Sequence, residues 1–282
     1  MKLFSIPTGN LKLDGGAMFG VIPKVMWSKV YPADENNYAN WSMRCLLIDD
    51  GKRKILIDNG IGDKQDSKFF SRYHLNGEDT LEKSLNINGY SLADITDVIL
   101  THLHFDHCGG SVKYNENKEL VLTFPNADYW VGKTHWDLMM NPNILEKASF
   151  LEENIMPIQK SGHLRFIEKE GELFPNIYIK IYNGHTFGQV IPHIKVENKT
   201  LVYCADLLPS SAHIPMAWVM AYDTYPLQSL TDKDDFLTNA LENEYTLFFE
   251  HDLYKECCTI QQTEKGARIK DSFTLKEWME SI

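Results

Sequence analysis

The sequence predicts a mixed α/β protein, and three observations carry that reading. Short apolar runs bounded by turn residues come in two sets, a helical stretch separates the sets, and residues able to do chemistry recur where the runs end. With 282 residues, 43% of them hydrophobic, the chain can bury a sizeable core. It has no low-complexity segment and no long linker, so one domain over 1–282 is expected, with a helical insertion at about 130–165.

The elements follow in order. "RCLLIDDGKRKILIDNG" reads as two strands joined at Asp50-Gly51, a dipeptide that tolerates the positive φ of a hairpin turn. "DTLEKSLNINGY" reads as helix, and "DVILT" as a buried β-branched strand. One or two helices, broken at Asn141-Pro142, follow in "VGKTHWDLMMNPNILEKASFLEENIMPI". Strands resume with "LRFIE", "IYIKIYNG", "VIPHIKV" and "TLVYCADLL". A helix from about Thr231, the strand "TLFFE" and a last helix after the capping box Thr274-x-x-Glu277 complete the chain.

Composition narrows the function. A net charge of −11 with no long basic run argues against a nucleic-acid partner, and no stretch has the length or apolarity of a membrane span. The N-terminus has no continuous apolar run of the signal-peptide kind, and the five cysteines form no C-x-x-C, so reduced thiols in a cytoplasmic protein are expected. The partner expected is a small-molecule substrate, with a homodimer left open.

Just after "DVILT" comes "THLHFDHCGG", with three histidines and an aspartate between His102 and His107 in a chain of ten histidines. In an extended chain His102, His104 and Asp106 share one face, while His107 turns away. One metal cannot take all four comfortably; two ions can, with His102 and His104 on the first and Asp106 and His107 on the second. Further ligands stand after other apolar runs: His185 in "NGHTFG", Asp206 in "YCADLL" and His251 in "FFEHD". Neutral imidazole with a few carboxylates suits zinc first, with iron, manganese or cobalt as alternatives. Cys108 and Cys204 read as small buried packing groups beside the ligands, Gly15-Gly16 and Gly109-Gly110 as tight turns, and His74, His135, His163 and His193 as surface or packing residues.

This ligand series resembles the metallo-β-lactamase family of dinuclear metal hydrolases, whose H-x-H-x-D-H motif falls on His102, His104, Asp106 and His107. Its next histidine falls on His185, its bridging aspartate on Asp206 and its last histidine on His251. "LDGGAMFG", "NPNILEKASF" and "ADLLPSSAHI" followed by "YD" are similar to the lactonase-related branch, which includes quorum-quenching N-acyl homoserine lactonases. The resemblance implies a four-layer αβ/βα sandwich, two divalent ions per chain, and Asp58 orienting a liganding imidazole, unless Asp58 only ends its strand. It also implies hydrolysis of an ester-like bond, most simply a lactone, by a hydroxide shared between ions about 3.5–4 Å apart, with Asp106 carrying the proton to the leaving group. A phosphotriester, aryl ester or thioester is the alternative substrate, and a non-catalytic scaffold the alternative of another class.

One departure stands out. The lactonase tyrosine three residues past the bridging aspartate is replaced here by Pro209. His213 is then expected to supply a neutral donor to the substrate, with Tyr222 as second choice. The insertion, through Trp136 and Met140, either walls the pocket or only packs as a surface helix pair. Met18, Phe19, Met26, Trp27, Met139, Trp218 and Met220 line an apolar pocket or belong to the core.

Overall fold

The computed structural model describes residues 1–282, in two compact units that each draw on two stretches of chain. Met1–Asn10 with Met43–Lys169 form the first, and Leu11–Ser42 with Glu170–Ile282 the second. No helix is long and apolar enough to cross a membrane.

The strands of the first sheet and the short pair beside it are, in chain order, β1 (Lys2–Asp14), β2 (Tyr38–Asp49), β3 (Lys54–Ile57), β4 (Asp97–Leu100), β5 (Val112–Tyr114), β6 (Leu120–Leu122), β7 (Asp128–Gly132) and β8 (Leu164–Ile167). Six of them form a sheet ordered β1-β2-β3-β4-β7-β8, and β5 pairs with β6 alone. β2 and β3 are the hairpin expected around Asp50-Gly51, with Leu46 opposite Ile57. Gly51 adopts φ 91°, which a side chain would strain. β3, β4, β7 and β8 are mutually parallel, and every residue of β4 is buried.

A parallel pair needs a crossover, and between β7 and β8 it is the segment expected to be an insertion. Residues 130–165 begin inside β7 and end inside β8, with helices Lys133–Met140 and Glu152–Ser161 between. Trp136, Met139, Phe150, Ile155 and Ile158 join the core of the first unit with Leu47, Val98 and Tyr129. The inner face of the segment is therefore core, while Met140, Ile144 and Leu145 stay exposed.

The second unit holds β9 (Gly171–Phe174), β10 (Ile177–Tyr182), β11 (Gln189–Val196), β12 (Lys199–Tyr203), β13 (Thr246–Phe248), β14 (Cys257–Thr263) and β15 (Gly266–Phe273), ordered β15-β14-β13-β12-β11-β10-β9. Only β12 and β13 pair in parallel, through the crossover helix Pro226–Glu242. That helix starts five residues before the expected Thr231, at a proline whose fixed φ suits the first turn. The last helix, Leu275–Glu280, carries the Thr274/Glu277 capping box. Gly109 and Gly110 are not positive-φ turns: a Cβ on Gly109 would lie 2.0 Å from the Ile61 carbonyl oxygen and one on Gly110 2.2 Å from that of Asn59. Their role is close backbone approach.

Two outcomes test this account. Ile155→Ala, at a fully buried site, should cost about 2–5 kcal/mol in urea unfolding, and Leu145→Ala, at a side chain 73% exposed, less than about 0.5 kcal/mol. Burial lowers the His193 imidazole from 6.5 to about 4, against a smaller opposing pull from the Ile191 carbonyl. Between those pH values the unfolded chain takes up a proton that the folded chain excludes. Stability is therefore full above pH 6.5 and falls as pH drops toward 4, by up to about 3 kcal/mol. His193→Phe should flatten that part of the stability–pH curve.

Candidate metal centre

In the first unit β3 and β4 end side by side, and the ligand cluster grows from those ends. Asp58 follows β3 in the left-handed region, φ 54°, and its N–H donates to the Ile99 carbonyl at 2.9 Å. The Asp58 carboxylate is buried and receives the Thr101 N–H at 2.8 Å, the Thr101 hydroxyl at 2.6 Å and His107 Nδ1 at 3.1 Å. Because Thr101 Oγ1 gives its proton to Asp58, it accepts from His102 Nδ1, 3.1 Å away. His102 and His107 are thus held as Nδ1–H tautomers, and their Nε2 lone pairs point elsewhere.

His102 Nε2 lies 3.1 Å from His104 Nδ1, two nitrogens aimed at a common point. The outer nitrogen of His104, Nε2, faces Glu146 Oε1 at 3.7 Å. His135, fully buried, accepts the Leu103 N–H through Nε2 at 2.8 Å and so pins the backbone between the two histidines. The helix Phe105–Cys108 carries Asp106 and His107, with Asp106 Oδ2 3.9 Å from His107 Nε2.

The second unit repeats the device. His185, between β10 and β11, has Nδ1 3.0 Å from Asp223 Oδ1 and Nε2 3.2 Å from Asp206 Oδ2. His251, three residues past β13, donates Nδ1 to the Ser42 carbonyl at 2.8 Å and places Nε2 3.1 Å from Asp206 Oδ1. One aspartate thus has an imidazole on each oxygen. Asp206 follows Ala205, whose φ of 42° turns the chain out of β12.

All seven expected ligands fall into these two sets, four in the first unit and three in the second. Two cysteines stay out of them. Cys108 donates to the Leu103 carbonyl and Cys204 to that of Val202; burial raises both thiols, Cys108 to about 12. They remain protonated packing groups.

His213 is corrected by the geometry. It is 1% exposed, stacks on Phe19 at 4.7 Å, and has Nδ1 2.8 Å from Ser210 Oγ and Nε2 2.8 Å from the Met18 carbonyl. Burial drives its pKa to about 3, so the ring is neutral and both nitrogens are committed within the fold. No N–H remains for a substrate. The Tyr222 side chain is 43% exposed, whereas its neighbour Asp223 is buried against His185. Met18, Phe19, Trp27 and Met220 are buried in the second unit, while Met26 and Met140 are exposed.

Sequence reasoning missed Asp223, Thr101, Glu146 and Ser42. Asp223, Glu146 and Ser42 reach their histidines through tertiary structure, Thr101 adjoins His102 in the chain, and only the "YD" at 222–223 hinted at one of them.

Neutral imidazoles with oriented lone pairs, grouped with carboxylates at strand ends, define a metal-binding α/β protein. The chain belongs to the metallo-beta-lactamase superfamily, which residues 44–251 match. It is 26% identical over 208 residues to the N-acyl homoserine lactonase AiiA of Bacillus thuringiensis subsp. kurstaki, covering 70% of this chain and 71% of that one. Among solved structures, a probable metal-dependent hydrolase from Staphylococcus aureus aligns with TM-score 0.88 at 31% identity, over 97% of this chain and 96% of that one. The dizinc quorum-quenching lactonase AidC, with its product N-hexanoyl-L-homoserine, shares the fold at TM-score 0.78 and 23% identity, over 96% and 95% of the two chains. The chain is thus a metal hydrolase of this superfamily, related at low identity to lactonases.

Asp58→Asn exchanges an acceptor-only carboxylate for an amide and should weaken metal binding about 10–100-fold in a chelator competition. His213→Gln should lower the melting temperature; an unchanged melting temperature with a lowered kcat would return His213 to the donor role.

Proposed function

We propose that the chain is a dinuclear metal-dependent hydrolase that opens a lactone, with an N-acyl homoserine lactone as the model substrate. The observation that supports it most is the placement of the ring nitrogens: four imidazoles have Nδ1 engaged by a fixed neighbour, leaving Nε2 as the donor toward an ion. Such a set of nitrogen and carboxylate donors, without thiolate, suits two first-row divalent ions, zinc first. On this reading His102, His104, Asp106 and His107 of the first unit and His185, Asp206 and His251 of the second are the residues that would hold the ions. Bound there, the ions supply Lewis acidity and a water of lowered pKa.

The rest is work for the chain's own side chains. The Asp106 carboxylate would take a proton from the attacking water and hand it to the leaving alkoxide. Beside it Phe69, Tyr73 and Phe105 form an aromatic wall, with Phe105 5.3 Å from Phe69 and 4.7 Å from Tyr73 between ring centroids. That wall suits the apolar acyl part of the substrate. Burial, and then the Asp106 carboxylate, raise the Tyr73 phenol above its ordinary value. Tyr73 therefore keeps its proton and is the neutral donor toward the carbonyl oxygen, in the role first assigned to His213.

Elemental analysis of zinc-grown protein should return two ions per chain, and Asp206→Ala should abolish activity. In a panel of lactones, aryl esters, phosphotriesters and thioesters, lactones should give the highest kcat/KM. A phosphotriester preference would transfer the site to tetrahedral chemistry. Tyr73→Phe should lower kcat about 10- to 1000-fold with both metals retained; full turnover would return Tyr73 to the wall.

A further inference from the structure

Two adjacent residues of the crossover helix Pro226–Glu242 are charged and buried: Asp232 is 7% exposed and Lys233 1%. Neighbouring positions on a helix point about 100° apart, so the pair reaches two different pieces of chain. Both pieces lead to His185.

Asp232 Oδ2 accepts the Asn183 N–H and the Gly184 N–H, each at 2.7 Å, while Gln228 Nε2, one turn earlier on the helix, holds Oδ1 at 2.7 Å. The turn that enters His185 is thus fastened to the helix by a carboxylate. It also lies directly on the helix: a Cβ on Gly184 would come 2.3 Å from Ser229 Cα, so only glycine allows the approach.

Lys233 acts on the other piece. Its Nζ donates to the carbonyls of Pro215, Met216 and Trp218 at 2.8, 3.2 and 2.8 Å. A buried ammonium is costly unless all its N–H groups are paired, and these carbonyls pair them. The gripped stretch runs on to Asp223, whose Oδ1 meets His185 Nδ1 at 3.0 Å. Just beyond, the Thr224 N–H and hydroxyl both donate to the His185 carbonyl at 3.0 Å, and the Tyr225 N–H donates to that of Gly184 at 3.0 Å.

We propose that Asp232 and Lys233 are positioning residues for His185: the first fixes the turn that carries the imidazole, and the second fixes the loop that carries its Asp223 partner. The inference rests on His185 being a metal ligand, as proposed above, and concerns how that ligand is aimed. Truncating either residue frees a different support of the same ring, an effect that general packing would not confine to His185.

NMR of the full chain as purified tests it, at about pH 6, where the Lys233 ammonium, lowered by burial to about 7, still holds its protons. The readout is solvent exchange of the His185 Nδ1–H, with the His107 Nδ1–H of the first unit as internal reference. Asp232→Ala and Lys233→Met should each speed exchange at His185 by at least about tenfold, and at His107 by less than about twofold. Asp232→Asn, which keeps an acceptor oxygen for the two N–H groups, should recover most of what Asp232→Ala loses. Gln228→Ala, at an exposed side chain, should speed His185 alone by about two- to fivefold even if the buried variants fold poorly. Unchanged exchange at His185 in these variants, equal changes at both histidines, or no recovery in Asp232→Asn overturns the proposal. The Nδ1 proton is present whether or not an ion sits on Nε2, so a chain that takes up no zinc would end the hydrolase reading and leave this test standing.

Discussion

The Asp58 carboxylate, with no exposure to water, receives a backbone N–H, a hydroxyl and an imidazole N–H, and the first ligand set is arranged around it. A buried carboxylate is costly unless its lone pairs are filled, and here three donors fill them. Each donor is ordered in return. The Thr101 hydroxyl, committed to Asp58, has only a lone pair left for His102, so one carboxylate sets the tautomers of two imidazoles. The left-handed turn at Asp58 lets the side chain reach across the end of β4, and an aspartate tolerates that backbone better than most residues.

The second set solves the same problem with different acceptors. His185 leans on a carboxylate, Asp223, and His251 on a backbone carbonyl, that of Ser42. A carboxylate partner makes an imidazole a stronger donor than a carbonyl does. Asp206 faces both His185 and His251.

The candidate ligands could be picked out in the sequence because they are local: four fall in six residues, and the other three each follow an apolar run that makes a strand. The groups that orient them could not, since Asp223 is 38 residues from His185 and Ser42 is 209 from His251. No periodicity records such pairings. β14 and β15 went unread for a different reason: β15 is largely exposed, and "CCTIQQTEKGARIKDSF" lacks the alternation that a half-buried strand imposes. His213 shows the opposite failure. Its nearness to Asp206 in sequence suggested chemistry, but the short turn Ser211–His213 carries the ring inward, where the Met18 carbonyl and Ser210 take both nitrogens.

One violation of local preference lies next to a candidate ligand. Ala205, fully buried, precedes Asp206 with a positive φ that an alanine adopts only at a cost of about 1–2 kcal/mol. The surrounding backbone enforces it: the Cys204 N–H donates to the Phe248 carbonyl at 3.0 Å, and the Leu207 N–H to the Cys204 carbonyl at 3.2 Å. Released from those bonds, the turn would relax toward ordinary φ, and Asp206 would swing away from His185 and His251. The strain at Ala205 is therefore sustained by the pairing of Cys204 with the end of β13, the strand that leads to His251. One backbone contact thus fixes both the aspartate and the approach to its histidine.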